Sequence, residues 1–179
     1  MTRNNKMAWP LRGRAFVGAG LLALMTAGCA HYHLGSSVPP EKRTISVPVF
    51  VNASGQPEAE VLVTQAVLSE FRREGTMHIA SHDTAALEVI GRVTGCTLTA
   101  LRNDHDRPYI VVEYRMELTA DVKVVERATG KVVANPGKVT GQTIFRTEAD
   151  LATTKHDALP RAAADLAKVV VRDTVGAWW

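Results

Sequence analysis

Residues 107–127 read RPYIVVEYRMELTADVKVVER, and their alternation decides the fold class. Every second position, Tyr109, Val111, Glu113, Arg115, Glu117, Thr119, Asp121 and Lys123, falls on a mostly polar face. The positions between, Ile110, Val112, Tyr114, Met116, Leu118, Ala120, Val122 and Val124, form a continuous apolar face. A period of two over this length predicts a long half-buried strand with one face in the core. The preceding stretch from Ala86 to Arg102 is also strand-like, with Gly91 and Gly95 as expected bulge or close-approach points. Asn103-Asp104-His105-Asp106 joins the two with turn residues, so a long antiparallel hairpin is expected.

Working outward, Ala128-Thr129-Gly130-Lys131 turns the chain into a last strand that runs to about Arg146, broken near Asn135-Pro136-Gly137. Upstream, Ile45, Val47, Val49 and Val51 alternate as one face of a strand, with Pro48 confined to an edge, a bulge or a strand end. Glu58 to Arg73 has helical composition, and Ala59, Leu62, Val63, Ala66, Val67 and Phe71 form its apolar stripe. Met77 to Ser81 is a short strand. A second helix is expected from about Asp157 as N-cap, with Pro160 in its first turn and Ala163, Leu166, Ala167, Val170 and Trp178 buried. The order β-α-β-β-β-β-α predicts an α+β two-layer sandwich, with two helices on one face of a four- to five-stranded mixed or antiparallel sheet.

The amino-terminal part reads as a targeting segment. Arg3, Lys6, Arg12 and Arg14 precede the apolar run Ala15 to Met25, which is too short for a permanent membrane span. Thr26-Ala27-Gly28-Cys29 then sets small residues directly before a cysteine, as a lipoprotein signal peptidase requires. The expected organisation is a signal peptide over 1–28, a lipidated tether over 29–42 and one domain over 43–179. Cys29 would carry diacylglycerol and an N-acyl chain, since a single chain anchors only marginally. Ala30 is not the aspartate that retains enteric lipoproteins in the inner membrane, so the periplasmic face of the outer membrane is favoured.

Charge and composition exclude several classes. The chain has 21 basic and 18 acidic residues, but four of the basic ones lie in the leader, so the remainder is near neutral and without a nucleic-acid footprint. Two cysteines exclude a disulfide framework, and Cys96 reads as an ordinary half-buried strand thiol. His78, His82-Asp83 and Asp104-His105-Asp106 lack the spacing of a metal set, so no metal or other cofactor is expected. Gly137-Lys138-Val139 lacks the Ser or Thr of a phosphate loop, and there is no Gly-x-Ser-x-Gly elbow. No enzyme and no catalytic residue is expected.

The segment Gly28-Cys29-Ala30-His31-Tyr32-His33-Leu34-Gly35, followed by Arg43-Thr44-Ile45-Ser46-Val47-Pro48-Val49-Phe50-Val51-Asn52, resembles the start of the LptE family of lipopolysaccharide-assembly lipoproteins. Ala86 to Val93, Tyr114-Arg115-Met116 and Thr129 to Val133 continue the resemblance less specifically. It implies a non-enzymatic lipoprotein that sits inside the outer-membrane barrel LptD, assists its assembly and helps lipopolysaccharide reach the cell surface. Lipopolysaccharide carries phosphates that Arg and Lys can grip. Arg102 and Arg107 flank the hairpin tip and are the candidate lipopolysaccharide contacts, with Lys131 and Lys138 at the next turn. A strand of the type Ile-x-Val-x-x-Phe-x-Asn before a helix also resembles lipoprotein activators of peptidoglycan synthases and curli-secretion lipoproteins; Tyr32-His33-Leu34-Gly35 favours the first family.

Overall fold

The long alternating segment forms the central strand of a mixed sheet in the computed structural model, which describes residues 38–147 and 150–179. The elements are β1 (Thr44–Ser46), β2 (Val51–Asn52), α1 (Ala59–Glu74), β3 (His78–Ile79), β4 (Leu87–Asn103), β5 (Val111–Glu126), β6 (Val132–Arg146) and α2 (Leu151–Gly176). The strand order is β3-β1-β4-β5-β6, with β2 also pairing β4, so β1 and β2 are successive pieces of one lane. The lanes β3, β1 and β4 run parallel, while β4, β5 and β6 are antiparallel. Both helices pack on one face, and the α+β two-layer architecture is the one the periodicity predicts.

The core lies between the helices and that face. β5 contributes Met116, Leu118, Ala120, Val122 and Val124, all buried, which are the positions its period of two assigns. α1 buries Ala59, Val63, Val67 and Phe71, while α2 buries Leu159, Ala163, Leu166, Ala167 and Val170. Gly141 on β6 lets α2 rest directly on the strand, since a Cβ there would run into the Leu166 amide nitrogen and the Ala162 carbonyl oxygen.

Several local expectations change. The Ile45–Val51 alternation does not hold through Pro48. Ile45 pairs with Leu87 and Ser46 with Glu88, but Val51 pairs with Arg92, so one extra residue is spent between them. A one-residue slip exchanges the faces. Phe50 is therefore buried, while Val49 and Val51 are 66% and 52% exposed. Room for the Phe50 ring comes from Gly91, where any Cβ would overlap it.

The break expected at Asn135-Pro136-Gly137 is a bulge in a continuous strand. β6 spends three residues between Ala134 and Gly137 where β5 spends two between Val124 and Val122. Gly137 takes the positive φ of 68° that such a bulge favours. β5 begins at Val111 rather than Arg107, because the Ile110 N–H is bonded to the Arg107 carbonyl at 2.9 Å in a closed turn.

The second helix is capped seven residues earlier than Asp157. Asp150 is its cap, accepting the N–H groups of Ala152 at 3.1 Å and Thr153 at 2.9 Å. Pro160 lies inside the helix rather than in its first turn.

Packing extends into the stretch read as tether. Val38 is buried in the core, Pro40–Lys42 forms a 3-10 turn, and Lys42 Nζ lies 2.9 Å from Glu126. The leader and Cys29 lie outside the described residues.

Candidate functional site

With both helices on one face, no described element covers the other face of β4, β5 and β6, and the registers assign its rows. Arg92, Asp121 and Lys138 lie side by side across the three strands. Further along come Thr97, Glu117 and Gln142, then Thr99, Arg115 and Ile144, then Arg102, Glu113 and Arg146. Opposite charges meet across strands in the first and last of these rows, the favourable arrangement for cross-strand neighbours. Apolar side chains interrupt the polar surface at Ile90 and Ile144, both exposed. A shallow cleft at one end of the sheet is lined by Val51, Ile90, Arg92, Asp121, Lys123 and Asn135.

The candidate residues sit at the opposite end, where β4 turns into β5. Arg102 Nε is 3.5 Å from one oxygen of Glu113, and Arg146 Nε is 3.6 Å from the other. Glu113 on the middle strand is thus held between an arginine on each neighbour. Arg146 is the residue that sequence reasoning missed. It becomes visible only with the β5–β6 register, because it is more than 30 positions from Glu113 along the chain yet directly opposite it.

The tip itself is ordered by Asp104. Its Oδ1 accepts the backbone N–H of Asp106 at 3.0 Å and that of Arg107 at 2.9 Å, and the Asp104 N–H bonds to the Ile110 carbonyl at 2.7 Å. Asn103 donates its side-chain amide to the Pro108 carbonyl. The Arg107 N–H bond, followed by the one from Asp106, holds the Asp104 carboxyl below the usual carboxylate range. Arg107 Nη2 lies 3.6 Å from Asp104 Oδ2 and its side chain is largely exposed. Arg102 and Arg107 therefore share one end of the sheet, each beside an acid of its own. Lys131 stands at the β5–β6 turn, at the other end, and Lys138 lies on the strand beside Asp121, so neither joins them.

The histidines engage in separate contacts. His82 Nδ1 is 3.7 Å from Glu88, and Arg127 reaches both the His82 carbonyl and its Nε2. His78 is on β3, on the far lane of the sheet. Among the described residues no three His, Cys, Asp or Glu side chains converge. Cys96 is half-buried on the core side of β4, opposite Leu118, and burial raises its thiol pKa.

The family model described as LptE, lipopolysaccharide-assembly, matches residues 43–174. No curated protein matches the chain in sequence. A putative lipoprotein from Caulobacter crescentus is similar in structure, at 15% identity and a TM-score of 0.53, over 74% of this chain and 88% of that one. A hypothetical protein from Chlamydia trachomatis is similar at 8% identity and a TM-score of 0.54, over 76% of this chain and 98% of that one. At such identities the likeness is one of fold. The family match runs from the threshold of β1 almost to the end of α2, and so covers both helices and all six strands: the chain belongs to the LptE family of lipopolysaccharide-assembly proteins.

Proposed function

We propose that this protein is an outer-membrane lipoprotein, cleaved before Cys29 and acylated on it, that plugs an LptD-type β-barrel, assists its assembly and helps lipopolysaccharide pass through. The observation that carries the reading is the uncovered sheet face. Three strands of 15 to 17 residues present rows of Arg, Lys, Asp, Glu, Thr and Gln that no described element covers. A wide outer-membrane barrel has a polar interior, so a plug needs a broad polar surface with complementary hydrogen bonding. The near-neutral charge of the chain after residue 28 suits such a contact, which draws on shape and local pairing rather than on net attraction.

At the hairpin end, Arg102 and Arg107 supply guanidinium groups for lipopolysaccharide phosphates. Both are exposed, and their acidic partners at 3.5 and 3.6 Å hold them by solvated ion pairs that contribute little. A phosphate can therefore compete for them. The double variant Arg102→Ala, Arg107→Ala is expected to bind lipopolysaccharide at least about tenfold more weakly, since a single charge-assisted contact contributes about 1.5 kcal/mol or more. Unchanged binding would remove these residues from the site.

The role itself is tested by tagging the protein, solubilising membranes gently and identifying what co-purifies. An outer-membrane barrel in about equal amount supports the plug. A peptidoglycan synthase, or rings of this chain without a barrel, would overturn it.

A further inference from the structure

One corner of the domain receives the chain that comes from Cys29. Val38, nine positions after Cys29, is already buried. Covalent geometry therefore keeps this corner within about 30 Å of that cysteine. The last turn of α2 reaches the same corner, because Lys42 Nζ stands 5.6 Å from the centroid of the Trp178 ring. Trp178 is half-buried against the core, but the next residue, Trp179, is 80% exposed. Its neighbours include Val171, Val175 and Glu74.

An indole left in water is costly, and indole is the side chain best matched to the headgroup layer of a bilayer, with an apolar body and one N–H donor. The surrounding charge does not offer an alternative electrostatic attachment. Lys42 is paired with Glu126, Arg172 with Asp173, Arg73 with Glu70 and Lys168 with Asp165, so the described residues make no polybasic patch at this corner. We propose that Trp179 inserts into the headgroup region of the bilayer that holds the lipid on Cys29, giving the domain a second attachment that fixes its orientation on the lipid surface. This rests on the acylation of Cys29.

The sequence makes the test clean. Its three tryptophans are Trp9, Trp178 and Trp179, and Trp9 lies ahead of Cys29 and leaves with the leader. Trp178→Phe and Trp179→Phe then each leave one indole in the mature protein. Both variants and the parent are purified in lipidated form, checked for acylation by intact mass and for folding by circular dichroism, and reconstituted into phosphatidylcholine vesicles. Half of the vesicles carry acyl chains brominated close to the headgroup.

Bromine should quench Trp178→Phe strongly, with a blue-shifted emission, and Trp179→Phe much less. The parent should lose a larger share of its emission than Trp179→Phe. Acylated, folded protein that floats with the vesicles but shows the same emission in both kinds would overturn the proposal and leave the anchor intact. Protein without acyl chains that fails to float would overturn the acylation and the proposal together.

Discussion

Replacing Gly141 by alanine tests whether α2 rests on β6 as closely as described. The new Cβ would lie 2.5 Å from Leu166 Cβ and nearer still to two backbone atoms of α2. Carbon contacts settle at about 3.5–4.0 Å, so helix and strand must separate by about 1 Å, and a gap of that size forfeits up to about half of each contact energy across it. The backbone atoms of a helix cannot rotate aside as a side-chain tip can. The cost belongs at the top of the overpacking range, about 3 kcal/mol, offset by about 0.5 kcal/mol because alanine restricts the unfolded chain. With a urea slope of about 2 kcal/mol/M, the unfolding midpoint should fall by about 1.2 M. Gly95→Ala is the control. Its nearest neighbour would be Thr119 Cβ at 4.0 Å, ordinary contact, and its midpoint should not fall. A Gly141→Ala midpoint within about 0.3 M of the parent would refute the close approach.

Val38→Ala should destabilise the domain by about 1–2 kcal/mol in the same urea assay, because the removed methyl groups lie in the core; a neutral effect would put the start of packing at Arg43. The Asp150 carboxyl sits below its usual range, chiefly through the Thr153 side-chain bond, with the backbone bonds from Thr153 and Ala152 adding to it. A carboxyl depressed in the folded state stabilises above its unfolded pKa, and that contribution is lost as pH falls through the folded value. Thermal unfolding of Asp150→Asn should therefore show a flatter fall in melting temperature below about pH 4 than the parent. Glu113→Gln should free Arg102 and Arg146 together and raise lipopolysaccharide affinity above that of the parent, measured by titration at fixed salt.

Much of the architecture was legible because it rests on long periodic segments. The alternation over Val111–Val124 assigned β5 to its faces, and the stripe from Ala59 to Phe71 placed α1. What escaped depends on events of a single residue. Pro48 marks an edge, a bulge or a strand end without saying which, so the extra residue between Ser46 and Val51 needs the register to be seen, and the burial of Phe50 depends on the space above Gly91, which is remote in sequence. Pro160 was misleading for a related reason. Proline is common in a first turn, but Asp150 sets the start of this helix, and the burial of Ala158, Leu159, Ala162 and Ala163 against the core carries it through Pro160. At the site, Arg102 and Arg107 were visible as turn charges, whereas Arg146 needed the register of two strands whose pairing carries a bulge.

The outer lane of the sheet has an implication for how the molecule assembles. β6 ends the strand order, so its second side has no strand partner among the described residues, and the Gln142 N–H on it is taken instead by Asp165 Oδ2 of α2 at 3.1 Å. An unpaired lane invites strand addition from another copy, and a carboxylate laid against it discourages that. The guard arrives after what it guards, since α2 follows β6 along the chain. During any folding that proceeds from the amino terminus, the hairpins can form first and leave this lane as an open template until α2 docks. The interval before docking is therefore when self-association competes most strongly with folding, and dilution or faster α2 docking should improve the yield of monomer more than stabilising the hairpins would.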